Sequence, residues 1–198
     1  MPRFTRAELE SFHGAAVPDL VGAGVRLVFV GINPGLRTAA TQIHFGNPGN
    51  RFRPALVAAG LLEPPVDGVP GMTEQDLATL VARRVGITNL VPFATARADE
   101  LTRSQLLTGR TRLEAFVDRH RPRVVAMLGI TAYRIAFERP RATTGRQPEP
   151  IGPAQLWVVP NPSGLNAHES VASLGTAYAE PARAAGIVAR SRWRSPRR

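Results

Sequence analysis

The residues best suited to chemistry sit in two short loops, each closing an apolar run. Gly31-Ile32-Asn33-Pro34-Gly35 follows the run 25–30, and Asn161-Pro162-Ser163-Gly164-Leu165-Asn166 follows the run 155–160. Glycines 31 and 35 let a ligand approach the backbone closely, and Pro34 stiffens the turn. Asn33 and Asn161 each supply a donor and an acceptor without charge. No Asp or Glu occurs between Asp19 and Glu63, so the first loop brings no carboxylate base with it. Unless a distant acid such as Asp99 or Glu100 folds into the site, water activated there must be positioned by neutral groups. Neither the Gly-x-x-x-x-Gly-Lys phosphate loop nor the Gly-x-Gly-x-x-Gly dinucleotide fingerprint is present at these positions.

Only a fold can bring two such distant loops together. Four near-continuous apolar runs, 25–30, 86–91, 123–129 and 155–160, have the character of strands buried on both faces of a parallel sheet. Helical patterns lie between them: from Thr73 to about Arg84, from about Glu100 to His120, from Thr131 to Phe137, and onward from near His168. Segments 63–71 and 139–152 are rich in Pro and Gly and are expected as surface loops. The alternation predicts an α/β fold, three layers α/β/α around a central, mostly parallel sheet. In such a sheet ligands bind at the carboxyl ends of the strands, which makes the two loops opposite lips of one pocket. One domain over residues 1–189 is expected, followed by a basic, disordered tail at 190–198.

Composition narrows the classes. The 198 residues are 43% hydrophobic, enough for one sizeable core. No run of ~18 apolar residues could span a bilayer, and the first residues lack the pattern of a secretory signal. A cytoplasmic protein without membrane association is expected. Cysteine is absent, which excludes disulfides, thiolate nucleophiles and Cys-ligated metal. The four His are scattered, with no two at metal-ligand spacing, so neither a metal nor a cofactor is expected. The formal charge is +10, every basic residue being Arg, and five of those Arg fall in residues 190–198. A field of that sign attracts polyanions.

Three spaced motifs then agree. Gly31-Ile32-Asn33-Pro34-Gly35-Leu36, Phe45-x-x-Pro48-x-Asn50-Arg51-Phe52 and Asn161-Pro162-Ser163-Gly164-Leu165 together resemble the mismatch-specific uracil-DNA glycosylase and thymine-DNA glycosylase family. Gly86-Ile87-Thr88-x-Leu90-Val91 and Leu156-Trp157-Val158 fall in the same order, and the resemblance runs from about residue 27 to about residue 185. It implies a DNA-repair enzyme that hydrolyses the N-glycosidic bond of a flipped uracil or related base, thymine and damaged pyrimidines included, in double-stranded DNA, with G·U mismatches preferred. By the same resemblance Asn33 holds the attacking water, the backbone of Ile32 contacts the base, Phe45 stacks on it, and Asn161 lies at the base pocket. Leu165 is the wedge that enters the duplex, and Gly164 and Asn166 face the orphaned guanine.

The physics of base excision is consistent with these roles. Extruding a base costs a few kcal/mol, least for a mismatch, and an apolar wedge offsets part of that cost. Oriented donors stabilise the anion that develops on the departing base. Asn orients water well but is a poor general base, so a dissociative reaction with an oxocarbenium-like sugar is expected. Without Lys there is no Schiff base to the abasic sugar, and the enzyme is expected to be monofunctional. A monomer suits a protein that scans DNA. Two alternatives stay open from the sequence: a uracil-DNA glycosylase of another family without mismatch preference, and a non-catalytic nucleic-acid-binding α/β module.

Overall fold

The run Leu27-Val28-Phe29-Val30 dictates the architecture, because all four side chains are fully buried although they point alternately to opposite faces. Such a strand needs cover on both sides. In the computed structural model, which describes residues 4–65, 71–164 and 169–187, it receives that cover. The first strand, β1, is Leu27–Gly31, and β2 (Val85–Asn89), β3 (Val124–Leu128), β4 (Gly145–Arg146) and β5 (Gln155–Val159) complete one sheet. Its order is β2-β1-β3-β5-β4, parallel throughout except for β4, which pairs antiparallel with β5.

The helices are α1 (Arg6–Glu10), α2 (Leu36–Thr41), α3 (Phe52–Ala58), α4 (Glu74–Ala82), α5 (Arg103–His120), α6 (Ile130–Ala136) and α7 (Val171–Ala184). Leu27 and Phe29 pack on Phe52 and Leu56 of α3, Leu80 of α4, and Leu174 and Tyr178 of α7. Val28 and Val30 face Leu113 and Phe116 of α5 and Ala132 and Tyr133 of α6. This is the three-layer α/β/α arrangement with a mostly parallel sheet that the alternation of runs predicts.

The strands and the longer helices fall within a few residues of their expected places. Helix α4 begins at a Thr73 cap whose hydroxyl accepts from the Asp76 N–H while Asp76 reaches back to Thr73. Helix α5 starts at Arg103, a turn later than expected, because Thr102 and Gln105 form the same reciprocal cap and residues 98–100 make a separate 3-10 turn. The expected surface loop 139–152 differs in containing β4. The last helix opens at a Ser170 cap; His168 lies outside the described residues, as do residues 190–198. Among the described residues no helix is long and apolar enough to cross a membrane.

Candidate functional site

The chain runs from β1 to β2 on one side of the sheet and then returns past β1 to β3 on the other. The switch point therefore lies between the carboxyl ends of β1 and β3, where a crevice opens in sheets of this kind. Residues Gly31–Gly35 leave β1 at that point. Their backbone is stitched to the chain after β2: Leu90 N–H donates to Gly31 O (2.8 Å), Val91 N–H to Ile32 O (2.9 Å) and Thr95 N–H to Pro34 O (3.2 Å). The loop is thus an extension of the sheet, and its side chains inherit the sheet's rigidity.

That rigidity sets Asn33. Its Nδ2 donates to Pro34 O (3.1 Å) and to Thr95 Oγ1 (2.7 Å), and the Thr95 hydroxyl donates onward to Arg97 O (2.7 Å). A carbonyl only accepts, so the bond to Pro34 O identifies this end of the amide as the nitrogen. Both N–H groups are used. Oδ1 takes no hydrogen bond from any described residue, and the half-buried side chain lines the pocket. An acceptor held in this way can orient a water molecule.

The second loop reaches the same place from β5. Asn161 Oδ1 accepts from the Ser163 N–H (2.9 Å), closing a turn that holds the side chain against the backbone. Between β1 and β5 lies β3, which is followed by Gly129 with φ of 126°. A Cβ on Gly129 would sit 3.5 Å from Asn161 Nδ2 and 3.6 Å from Ile32 Cδ1, so the two lips converge over this glycine. Gly31–Gly35, Asn161 and Ser163 line one cavity of about 200 Å³. That is below the ~300 Å³ at which sites for drug-sized ligands begin, and it favours a single ring.

Phe45 forms part of the wall. Its ring stacks on Phe52 (centroids 4.0 Å, planes at 30°), which meets Phe29 edge-on at 5.4 Å. Phe45 has φ of 54°, a left-handed conformation that costs a bulky residue ~1–3 kcal/mol and persists where surrounding packing enforces it. One face of the ring is occupied by Phe52, while the side chain stays half exposed at the cavity.

Four further residues, to which the sequence reading gave no role, shape the site. Asn89, the last residue of β2, is 4% exposed and lines the cavity. It is paired in register with Gly31, and any Cβ on Gly31 would collide with its Oδ1. Arg112 fixes this strand end by donating to Asn89 O (2.7 Å) and Thr88 Oγ1 (3.1 Å) while it holds Asp19 through both carboxylate oxygens. A polar residue ending an apolar parallel strand was the available signal. Thr95 had no signal of its own. His44 is also buried in the wall, its Nε2 donating to Pro18 O (2.9 Å), which leaves Nδ1 as the acceptor of the neutral ring. Burial lowers its pKa, partly opposed by the Pro18 carbonyl and the charge of Asp19.

No carboxylate lines the cavity among the described residues. Asp99 is paired with Arg97 and Glu100 with His13, both at the surface. Gly164 is described and exposed, and a Cβ there would come 2.8 Å from Gly49 O. Leu165 and Asn166, expected as wedge and opposite-strand contact, lie outside the described residues.

A pocket at the switch point, walled by uncharged amides and an aromatic ring, suits an enzyme that binds a flat heterocycle and water. The family model for the uracil DNA glycosylase superfamily matches residues 18–182, which include both loops, the Phe45 segment and the end of β2. Members of that superfamily are DNA N-glycosylases, and this chain belongs to it.

Proposed function

We propose that the protein is a monofunctional repair glycosylase that removes uracil from double-stranded DNA, most efficiently opposite guanine. The observation that carries this reading is Asn33, whose nitrogen is fully engaged while its oxygen takes no hydrogen bond from a described residue, in a side chain lining a pocket with no carboxylate among the described residues. Uracil enters that pocket flipped from the duplex, against Phe45 and beside Asn161, with the backbone of Ile32 at its edge. The amide of Asn89 offers the ring a donor and an acceptor from the facing strand. As the bond between C1′ and the base nitrogen breaks, its electron pair leaves with the base and the sugar becomes an oxocarbenium ion. Water held by Asn33 Oδ1 adds to C1′ and loses a proton to solvent, and the base leaves as an anion stabilised by these donors. Leu165 fills the vacated stack, with Gly164 and Asn166 toward the guanine; these assignments rest on the resemblance of the 161–166 motif. The chain has no Lys to attack the abasic sugar, so the strand stays intact. A monomer suffices, since all these groups come from one chain.

The test is release of free base from oligonucleotides bearing G·U, A·U, G·T or single-stranded uracil. G·U should react fastest, with strand breaks appearing only after alkali. Asn33→Ala should slow G·U cleavage about a hundredfold or more, as loss of a group that positions the reacting water does, while duplex affinity holds. Equal rates on G·U and A·U would favour a uracil glycosylase without mismatch preference. Tight duplex binding with no release of any base would overturn the enzymatic reading.

A further inference from the structure

Arg51 lies outside the pocket wall, yet it joins the two halves of the site. Its backbone N–H donates to Pro162 O (2.9 Å). Its guanidinium Nη2 donates to Ser163 O (2.6 Å), and Nη1 donates to Glu169 O. Ser163 and Glu169 flank the stretch that contains Leu165, so one rigid fork sets the separation of that stretch's two flanks. The next residue, Phe52, carries the stacked ring of Phe45. Close packing of Gly164 against Gly49 holds the same two segments together. The half-buried Arg51 therefore makes the base-stacking segment and the second loop one mechanical unit.

We propose that Arg51 is a positioning residue for base extrusion: it fixes the flanks of the second loop so that an inserted side chain can hold the duplex open, and it touches neither base nor water. This rests on reading Leu165 as the wedge. A planar fork can serve two carbonyls at a fixed spacing, whereas the single ammonium of a lysine cannot hold both in that geometry.

Single-turnover base release, measured with Arg51→Met and Arg51→Lys, separates this role from general stabilisation. Two substrates of equal sequence are compared: uracil opposite guanine in a duplex, and uracil in an unpaired bubble that needs no extrusion. A 2-aminopurine beside the uracil reports extrusion. Arg51→Met should slow duplex cleavage about tenfold or more, the scale on which hydrogen bonds from a charged donor are worth keeping. It should also shrink the 2-aminopurine signal and leave the bubble rate within about twofold. Arg51→Lys should fall between Met and wild type. A reduced folded fraction lowers both rates alike, so the duplex-to-bubble ratio isolates extrusion.

Equal losses on both substrates, or no loss on either, would overturn the role of Arg51. Leu165→Ala run in parallel distinguishes the underlying reading. If Leu165→Ala slows the duplex and Arg51→Met does not, the Arg51 role alone fails. If Leu165→Ala leaves the duplex rate unchanged, the wedge reading fails and the Arg51 role falls with it.

Discussion

In the proposed reaction the orientation of one amide is decisive. Asn33 is aimed by Thr95, whose hydroxyl accepts from Nδ2 and donates to Arg97 O, so the direction of this short chain of bonds is fixed. Replacing Thr95 by Val keeps the shape but removes both bonds. A net hydrogen bond is worth ~1 kcal/mol, so Thr95→Val should slow single-turnover excision about five- to tenfold with little change in KM, and Thr95→Ser should retain the wild-type rate. A Val variant as fast as wild type would show that Asn33 is oriented by Pro34 O alone. Asn33, Phe45 and Asn161 were legible in the sequence because each sits in a short motif with its turn residues. Thr95 was not, since its partner is 62 positions away and only the pairing of the first loop with the chain after β2 joins them. Asn89 was visible merely as part of an apolar run, because its exposure to the cavity depends on Gly31 lacking a side chain in the neighbouring strand.

Two helices determine how far the second loop stands from the Phe45 segment. Helix α3 begins directly after Arg51 and α7 begins directly after Ser170, so the α3–α7 contact sets the spacing between the Phe45 segment and the second loop. They meet at Gly175, where an added Cβ would collide with Ala58 Cβ and lie 3.2 Å from its carbonyl carbon. Tyr178, one turn on, donates its hydroxyl to Pro160 O (3.0 Å) at the base of the second loop. Gly175→Ala should therefore destabilise the fold by about 1–3 kcal/mol, the usual range for overpacking, measurable as a lower urea midpoint at unchanged slope. A midpoint equal to wild type would mean that the two helices can part without cost. Helix α4 could be read from its Thr73 cap and acidic first turn, and α5 from the apolar residues spaced along it, without the Thr102 cap that sets its start. Helices α1, α2 and α3 were not anticipated: with five, six and seven residues they are too short to show a periodic apolar pattern. Strand β4, with two residues, is held by pairing with β5 and has no local pattern to announce it.

At the scale of the whole molecule, the sheet was legible because a parallel strand covered on both faces must be apolar at nearly every position. A pH response near neutrality was hidden, because the buried group it would run through, His44, is buried only by the fold. His44 is packed between the chain before β1, where Pro18 O accepts its Nε2–H, and the cavity wall, with Asp19 nearby. Burial lowers its pKa below the ordinary 6.5 despite the opposing pull of Pro18 and Asp19. Between the folded value and 6.5 the unfolded chain binds more protons than the folded one, so stability rises with pH across that window. Stability should be level with respect to this group above about pH 7 and fall as pH drops through 6.5. It should level off again below the folded pKa. Asp76 belongs to a lower window: burial raises its pKa, but Arg53 and Thr73 more than offset this and hold it below the ordinary 3.8. Its contribution is present above that value and lost only as pH falls further. Thermal unfolding midpoints between about pH 5 and 8 at constant ionic strength should therefore fall toward acid in the wild type and be flatter in His44→Gln, whatever the absolute midpoint of the variant. Parallel curves for the two proteins would mean that His44 accepts its proton without strain on the fold. The slope would then have to come from other groups.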